Sequence, residues 1–220
     1  MYIFVKRFFD IMLSLATLVV LSPFLIPIII GLKLTGEGEI LYFQKRIGYK
    51  RRYFDIWKFA TMQKNSPNIG TGSITLRNDP RVTPMGDFLR KTKINELPQI
   101  INVLKGDLSI VGPRPLVDKT FNAYTENVQN IIYNNKPGIT GIGSIVFRDE
   151  EKLISESKLE PHEFYQKVIA PYKGEIEIWY QNNFSFSTDF KIIFLTAWVI
   201  LFPKSNLLYS FFKDLPKRSF

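Results

Sequence analysis

The hydrophobic pattern of the chain is most uneven near its beginning, where Ile11 to Gly31 form a run of 21 residues without a charge. A helix of about 20 apolar residues is long enough to cross the core of a bilayer. The run is too long for a signal peptide, and no small-residue cleavage site follows it. Residues 1–35 are therefore predicted to anchor the chain in a membrane.

Two features of this run favour a re-entrant hairpin over a straight crossing. Ser22-Pro23 lies in its middle, and proline removes a backbone donor, so the helix should bend or break there. Basic residues flank the run on both sides, and such flanks prefer the cytoplasm. They are Lys6, Arg7, Lys33, Lys45, Arg46, Lys50, Arg51 and Arg52. A kinked single-pass helix is the alternative, since membrane helices tolerate proline, and a buried helix of a soluble domain is a third.

The remaining pattern predicts one small domain over residues 36–205, without repeats or low-complexity tracts. Residues 39–58 predict two short strands around a turn at Gly48–Arg51. Gln63–Thr75 and Gly106–Pro115 are predicted to be loops, and Ile142–Phe147 is an apolar stretch after a turn. Helices are predicted over residues 85–92, 96–104, 121–133, 161–179 and 189–202. The predicted fold class is therefore α/β and mainly helical, with short strands.

The last apolar helix, Phe190–Phe202, is too short to span a membrane. It either packs in the core or lies on the membrane as an interfacial helix, with Trp198 and the phenylalanines among the headgroups. The tail, residues 206–220, mixes Tyr, Phe, Lys and Arg in a way that suits a membrane surface.

Composition narrows the chemistry. The chain has 19 Phe and a formal net charge of +9, which favours anionic partners. It has no cysteine and a single histidine, His162, so disulfides, thiolate catalysis and multi-histidine metal sites are excluded. Any reaction must therefore use carboxylates, Arg, Lys and hydroxyl groups.

Suitable groups are concentrated between Asp79 and Pro115. Arg81, Arg90 and Arg114 would suit phosphate, because guanidinium groups bind its oxygens in pairs, although a solvated basic face is the plainer interpretation. Arg114 lies between two prolines, which hold it in place. Glu96 precedes an apolar helical run, where it either takes part in chemistry or only complements the helix dipole. No nucleotide-binding loop or nucleic-acid motif occurs, so phosphate-bearing lipid is a better candidate partner than nucleic acid.

Several short motifs occur together in the first 141 residues. They are Lys6-Arg7 with Asp10, Ser22-Pro23, Phe43-Gln44, Arg46-Ile47-Gly48, Asp79-Pro80-Arg81, Glu96-Leu97-Pro98-Gln99, Gly112-Pro113-Arg114-Pro115 and Pro137-Gly138-Ile139-Thr140-Gly141. In this combination the chain resembles the monotopic phosphoglycosyl transferases, a bacterial sugar transferase family. The match is thinner beyond Phe147, where Asp189 is the clearest family-like position.

The resemblance implies an α/β membrane-monotopic fold, with a re-entrant helix broken at Ser22-Pro23 and a catalytic domain on the cytoplasmic face of the bacterial inner membrane. It implies transfer of a sugar phosphate from a UDP-sugar to undecaprenyl phosphate, with release of UMP. Glu96 would bind Mg²⁺, and the substrate-binding residues would be Lys58, Arg81, Arg90, Arg114 and Asp189. The implied partners are membrane lipid, polyprenyl phosphate and the UDP-sugar; nucleic acid is not expected, and a homo-oligomer is allowed.

The sequence departs from the family at one position. Catalysis in the family uses an aspartate–glutamate pair whose aspartate forms a covalent phosphosugar, but this chain has Asn95-Glu96. A carboxamide is a poor nucleophile. The chain could be a poorly active variant, another carboxylate such as Glu96 could replace the nucleophile, or the lipid phosphate could attack directly. A catalytically silent scaffold or regulator of glycan assembly is the competing function. The transferred sugar is not indicated, and its specificity is expected to lie in Gln63–Thr75 and beyond Gly141.

Overall fold

The apolar N-terminal run forms one helix, α1 (Tyr2–Leu34), in the computed structural model, which describes residues 2–35, 37–69, 79–218 and 220. Pro23 and Pro27 both lie inside it, so the predicted break at Ser22-Pro23 is absent from this structure. The Ser22 hydroxyl donates a hydrogen bond to the Val19 carbonyl at 3.0 Å. That carbonyl would otherwise accept from the missing N–H of Pro23, so the serine side chain repairs the hydrogen bond that proline removes.

Polar contacts fix the N-terminal end of α1 to the domain. Lys6 forms an ion pair with Asp189. The Asp10 carboxylate, only 5% exposed, accepts hydrogen bonds from the Ser109 hydroxyl at 3.0 Å and the Ile110 amide at 2.9 Å. These are buried, satisfied polar groups, which hold a helix in one register.

The C-terminal end of α1 packs against the same domain through apolar side chains. Leu32 is buried with Phe59 and Leu89, and Leu25 and Ile28 pack against that cluster. Both ends of α1 therefore contact the domain, and the helix lies along it rather than projecting from it.

The outward faces of α1 are apolar and exposed. Their larger side chains are Ile3, Phe4, Phe8, Phe9, Met12, Leu13, Leu15, Val19, Val20, Phe24, Ile26, Ile29 and Ile30. In length and composition α1 could cross a membrane, and it is the one such helix among the described residues. An exposed apolar surface of this extent is typical of a site that meets lipid or another apolar partner.

The predicted strand pair is confirmed. β1 (Leu41–Ile47) and β2 (Tyr53–Phe59) are antiparallel, with Leu41 opposite Phe59 and Ile47 opposite Tyr53. The turn between them contains the short 3₁₀ segment Tyr49–Arg51.

Part of the predicted loop Gln63–Thr75 falls on residues 70–78, which lie outside the described residues. Two helices follow in the chain. α2 (Pro84–Lys91) begins after Thr83, whose hydroxyl accepts from the Gly86 amide at 3.0 Å. α3 (Gln99–Lys105) begins later than predicted, because Ile94–Glu96 forms a 3₁₀ turn and Pro98 opens the helix. Proline suits this position, because the N–H groups of a helix's first turn have no partner within the helix and the N–H that proline lacks is not needed there.

The predicted loop 106–115 contains a strand that the sequence did not reveal. β3 (Ser109–Val111) pairs in parallel with β4 (Gly138–Thr140). The pairing continues as the Gly112 amide donates to the Thr140 carbonyl at 2.9 Å. A Cβ on Gly112 would lie 2.3 Å from the Lys136 carbonyl oxygen, so only glycine allows this approach.

The rest of the domain is helical. The elements are α4 (Asp118–Phe121), α5 (Glu126–Ile131), α6 (Ile142–Val146), α7 (Glu150–Glu156), α8 (Pro161–Phe164), α9 (Ala170–Asn182), α10 (Phe186–Leu201) and α11 (Leu207–Phe211). The predicted helix 121–133 is divided into α4 and α5, whereas a π-helical segment, Tyr165–Ile169, joins α8 to α9. Helices α6, α9 and α10 supply the centre of the core with Ile142, Ile176, Ile192 and Leu195.

Helix α10 packs in the core on one side and exposes apolar side chains on the other, so it has features of both a core helix and an interfacial helix. Its Ile192, Leu195 and Val199 are buried in the core, while Phe190 and Ile200 on its other side are exposed. The tail after α10 also contributes to the core through Leu208, Phe212 and Leu215. Contact of either segment with a membrane surface stays a prediction.

One buried carboxyl is poorly compensated. Glu177 on α9 is 2% exposed, and its Oε2 has no hydrogen-bond partner among the described residues. Burial raises the pKa of Glu177 to about 7, against the smaller opposing effect of the Lys173 ammonium. The folded protein therefore prefers this carboxyl protonated.

Replacing Glu177 should change how stability depends on pH. Because the pKa of Glu177 is higher in the folded chain than its ordinary value of 4.5, the folded state binds the extra proton, and stability falls as the pH rises from about 4.5 to 7. Glu177→Gln should be more stable than the wild type by about 2–3 kcal/mol at pH 8 and nearly equal at pH 4. Denaturant unfolding in detergent across this range measures it. Parallel stability curves for the two proteins would contradict the assignment.

Candidate active site

Two cationic side chains lie on one face of the β1–β2 hairpin. Side chains alternate along a strand, and the register places Arg46 and Lys58 on the same face. Arg46 donates to the Gln44 side-chain oxygen at 2.5 Å and to the Pro115 carbonyl at 3.1 Å. The hairpin is thereby joined to the segment that carries Arg114.

These side chains border a small, open cavity. It is lined by Arg46, Ile56, Lys58, Gln99, Arg114, Pro115 and Gly138. The lining comes from β1, β2, α3, β4 and the segment that follows β3. A concave site with a few convergent polar groups is the usual form of a small-molecule site.

Glu96 connects the cations of this cavity. Its Oε1 accepts from Arg114 at 3.2 Å and from Lys58 at 3.4 Å. Burial alone would raise the pKa of Glu96, but the charges of Arg114 and Lys58 outweigh it and hold the pKa well below its usual range. Glu96 is therefore an ionised carboxylate at neutral pH.

Burial lowers the pKa of two of the cations, whereas it raises that of a carboxyl group. It lowers the pKa of Lys58 to about 8, although Glu96 opposes this effect. It lowers the pKa of Arg46 to about 10, with a further contribution from the charge of Arg114. Both groups remain cationic at pH 7 but would be stabilised by an added anion.

Arg114 is held in place through its backbone. Its carbonyl accepts from the Tyr133 hydroxyl at 2.9 Å, and that hydroxyl accepts from the Leu116 amide at 2.9 Å. On the other side the Gly138 amide donates to the Pro113 carbonyl at 2.9 Å. These hydrogen bonds, together with the two prolines, support the prediction that the Gly-Pro-Arg-Pro segment is held in place.

The charge balance of the site is positive. Arg46, Lys58 and Arg114 together carry three positive charges, and Glu96 supplies one negative charge among them. Buried charges are stable when they are compensated, so the two unmatched cations favour a bound anion. The arrangement suits a polyanionic group such as a diphosphate.

Asn95 lies in the 3₁₀ turn beside Glu96 and is 6% exposed. Its Oδ1 is buried without a hydrogen-bond partner among the described residues. An unsatisfied amide oxygen is unfavourable in a protein interior, so this atom is a candidate for contact with a ligand.

The residues present fit a magnesium ion that is shared with substrate. No group of three or more His, Cys, Asp or Glu that could hold a metal occurs in the part of the chain that the structure describes. Mg²⁺ usually takes one or two protein oxygens and completes its shell with water and phosphate. The Glu96 carboxylate and the unpartnered Asn95 Oδ1 are oxygen donors of this kind.

Two of the predicted substrate-binding residues have internal partners instead. Arg81 is 3% exposed, donates to both Asp79 oxygens and reaches the Ser66 and Ile69 carbonyls at 3.0 Å. Its guanidinium therefore fixes the local backbone, and it does not line the cavity.

Asp189 belongs to α10 and lies against the N-terminal end of α1. It accepts hydrogen bonds from Tyr2 and Lys6 of α1 and from Tyr180 of α9. It too is absent from the cavity lining, so in this structure it holds α1 to the domain. Arg90 is partly exposed and pairs with Glu151 at 3.4 Å; it is not in the cavity lining either, and its role in substrate binding stays a prediction.

The sequence profile of the bacterial sugar transferases matches residues 1–203. The chain belongs to the bacterial sugar transferase family. This confirms the resemblance noted from the motifs.

Among the relatives of this sugar transferase, a Salmonella typhimurium undecaprenyl-phosphate galactose phosphotransferase is 33% identical over 90% of the chain and 40% of its own length. The UDP-glucose:undecaprenyl-phosphate glucose-1-phosphate transferase of Escherichia coli is 36% identical over 87% of the chain and 39% of its length. An exopolysaccharide production protein, ExoY, from Sinorhizobium fredii is 29% identical over 87% of the chain and 83% of its length. The chain thus spans about two fifths of the first two relatives.

Sequence reasoning missed two residues of the sugar transferase site. Arg46 and Gln99 both occur in the motifs that carry the resemblance, but neither is predicted to bind substrate. The alternation of side chains along the two predicted strands could have identified Arg46, because it places Arg46 on the same face of the hairpin as Lys58.

Replacing Arg46 should weaken anion binding. Arg46→Gln removes one of the three cations, and a hydrogen bond to a charged group contributes about 1.5–3 kcal/mol. Affinity for inorganic pyrophosphate should fall roughly tenfold to hundredfold, as measured by titration calorimetry of the purified protein. Arg52→Gln, on the exposed turn between β1 and β2, is the matched control and should bind like the wild type. Equal binding by both variants would show that the cavity is not the anion site.

Proposed function

We propose that the protein transfers a sugar phosphate from a UDP-sugar to undecaprenyl phosphate and releases UMP. The observation that carries this proposal is the partly buried site in which Lys58 and Arg114 pair with Glu96 and Arg46 lines the same cavity. Relatives named as undecaprenyl-phosphate sugar phosphotransferases support it. Both substrates bear phosphate, and both would need the cationic site.

The residues of the site would act mainly by positioning and by charge. Arg46, Lys58 and Arg114 would bind the donor diphosphate and stabilise the negative charge that spreads over the transferred phosphoryl group. Glu96 would keep Lys58 and Arg114 together and, with Asn95, would present oxygens to Mg²⁺. When bound, Mg²⁺ would neutralise phosphate charge and orient the diphosphate.

We infer that the acceptor attacks the donor directly. Asn95 is a neutral amide, and the Oε1 of Glu96 is engaged by two cations, so neither side chain is a good nucleophile. An oxygen of the lipid phosphate would bond to the β-phosphorus of the UDP-sugar. The bond from that phosphorus to the bridging oxygen would break, and UMP would leave with the electron pair. No proton needs to be removed from the attacking phosphate.

A second candidate is a catalytically silent relative that serves as a membrane scaffold or regulator. Asn95 at the nucleophile position favours it. It predicts binding of a nucleotide sugar without turnover, whereas the first proposal predicts lipid product.

The transfer assay separates these functions. Wild-type protein should convert labelled UDP-glucose, UDP-galactose or UDP-N-acetylgalactosamine and undecaprenyl phosphate into a lipid-linked sugar. Glu96→Gln should lose at least about a hundredfold of this activity, because Lys58 and Arg114 lose their shared anion. Intact-protein mass spectrometry with donor alone should show no phosphosugar adduct. Full activity in Glu96→Gln would reject the role of Glu96, and an adduct would reject direct attack.

We also propose that the chain is monotopic, with α1 dipping into one leaflet by a re-entrant path and the domain on the cytoplasmic face of the bacterial inner membrane. Contact of both ends of α1 with the same domain supports this topology. The exposed apolar faces of α1 supply the surface for lipid. Ser22-Pro23 would be the position where α1 bends, because its backbone hydrogen bond depends on a side chain.

Cysteine labelling tests this topology, since the natural chain has no cysteine. Single cysteines in place of Ile3 and Thr35, both exposed, lie at the two ends of α1. A membrane-impermeant maleimide should leave both unlabelled in intact cells and label both in inverted membrane vesicles. Labelling of opposite ends from opposite sides would instead indicate a single crossing.

A further inference from the structure

Three consecutive carboxylates at the start of α7 each hold a cation from another part of the chain. We name Asp149, Glu150 and Glu151 the acidic turn. Their respective partners are Arg218 in the tail, Lys173 on α9 and Arg90 on α2. Three bonds to three separate elements fix the position of this turn far more tightly than any one of them would.

The tail residues that reach the acidic turn are themselves anchored. We name Asp214–Arg218 together with Phe220 the strap. The Tyr172 hydroxyl donates to the Pro216 carbonyl and the Trp179 indole donates to the Asp214 carboxylate, each at 2.9 Å. Leu215 is 3% exposed. The strap is thus attached to α9 by hydrogen bonds and apolar packing.

Arg218 is the connection between the strap and the acidic turn. Its two terminal nitrogens donate to the two oxygens of Asp149, both at 3.0 Å. Its guanidinium carbon lies 5.1 Å from the ring centres of Phe147 and Phe220. A two-point bond combined with stacking fixes both the distance and the orientation of Asp149.

The acidic turn in turn faces cations of the active site. Glu150 accepts from Lys173, a 3% exposed cation, at 2.5 Å, and its charge also acts on Arg114. Glu151 pairs with the partly exposed Arg90. A shift of the turn would therefore change the surroundings of two arginines, one of which lines the cavity.

We propose that the strap positions the acidic turn beside the anion site and that Arg218 is a positioning residue of the transferase, acting through Asp149. This rests on the proposed function. The transferred sugar is joined to the diphosphate and must lie near it, and the acidic turn, held by Arg218, Lys173 and Arg90, is the part of the chain that would select it. Arg218 itself touches no substrate.

The strap differs from an ordinary stabilising contact in what its loss should affect. A partly exposed ion pair contributes little to folding stability, typically under about 1 kcal/mol. Misplacement of groups around a substrate has larger effects on the reaction. We therefore expect Arg218 variants to fold normally and to differ from the wild type in substrate use.

The test uses the full chain with Arg218→Gln, Asp149→Asn and the double variant. Each should raise KM for the preferred UDP-sugar roughly tenfold, with kcat within about threefold, and should reduce discrimination between two UDP-sugars. The double variant should be no worse than either single variant, because both remove one interaction. Arg218→Lys, which keeps the charge but loses the two-point bond, should be intermediate. Lys167→Gln removes a cation from an exposed ion pair with Glu163 and should leave all parameters unchanged.

Hydrogen–deuterium exchange gives a readout that does not depend on activity. Amides of residues 149–156 should exchange faster in Arg218→Gln than in the wild type, while α3 is unchanged. Unaltered exchange there, or a lower melting temperature with unaltered KM and sugar discrimination, would overturn the strap proposal. Lack of transfer by the wild type would instead reject the proposed function, and the exchange result would still decide whether the strap holds the turn.

Discussion

The short parallel pairing of β3 with β4 is the contact on which the rest of the structure depends. From α1, Asp10 binds the first two residues of β3, and Lys6 donates to the Val111 carbonyl at 2.8 Å. The chain then leaves β3 into the segment that carries Arg114, while β4 leads directly into α6 of the core. The backbones approach so closely at Gly112 that no side chain fits. The position of Arg114 is therefore set by the membrane helix and the core together.

The site built on this pairing stores electrostatic free energy. Burial lowers the pKa of Arg46 and of Lys58, so the surroundings of both side chains disfavour their positive charges. The surrounding packing must offset that cost, and a bound polyanion would relieve it. Sites preorganised in this way stabilise charge that develops during a reaction without having to rearrange. The proposed direct transfer relies on this property, since positioning and charge carry most of a phosphoryl transfer.

Long periodic segments were predictable from the sequence, and short irregular ones were not. The hairpin, α2 and the two last long helices follow from alternation and periodicity. A strand of three residues such as β3 offers too few positions for alternation to be seen. Glu96 and Arg114 were recognised because local proline and motif context marked them. The burial of Arg81 against backbone carbonyls was not predictable, because such an arginine has no local signature that distinguishes it from one that binds phosphate.

The same limit applies to α1, whose sequence alone resembles a simple tether. A tether needs only an apolar surface, yet α1 buries the carboxylate of Asp10 and pairs Lys6 with Asp189 inside the protein. Burying charged groups is costly unless their partners are placed for them, so these contacts specify one register of α1 on the domain. Without α1, Asp189 would lose Tyr2 and Lys6 as partners, and the Ser109 hydroxyl would lose Asp10. Helix α1 is thus a structural element of the domain, and the contacts that hold it also fix β3, which leads into the segment that carries Arg114.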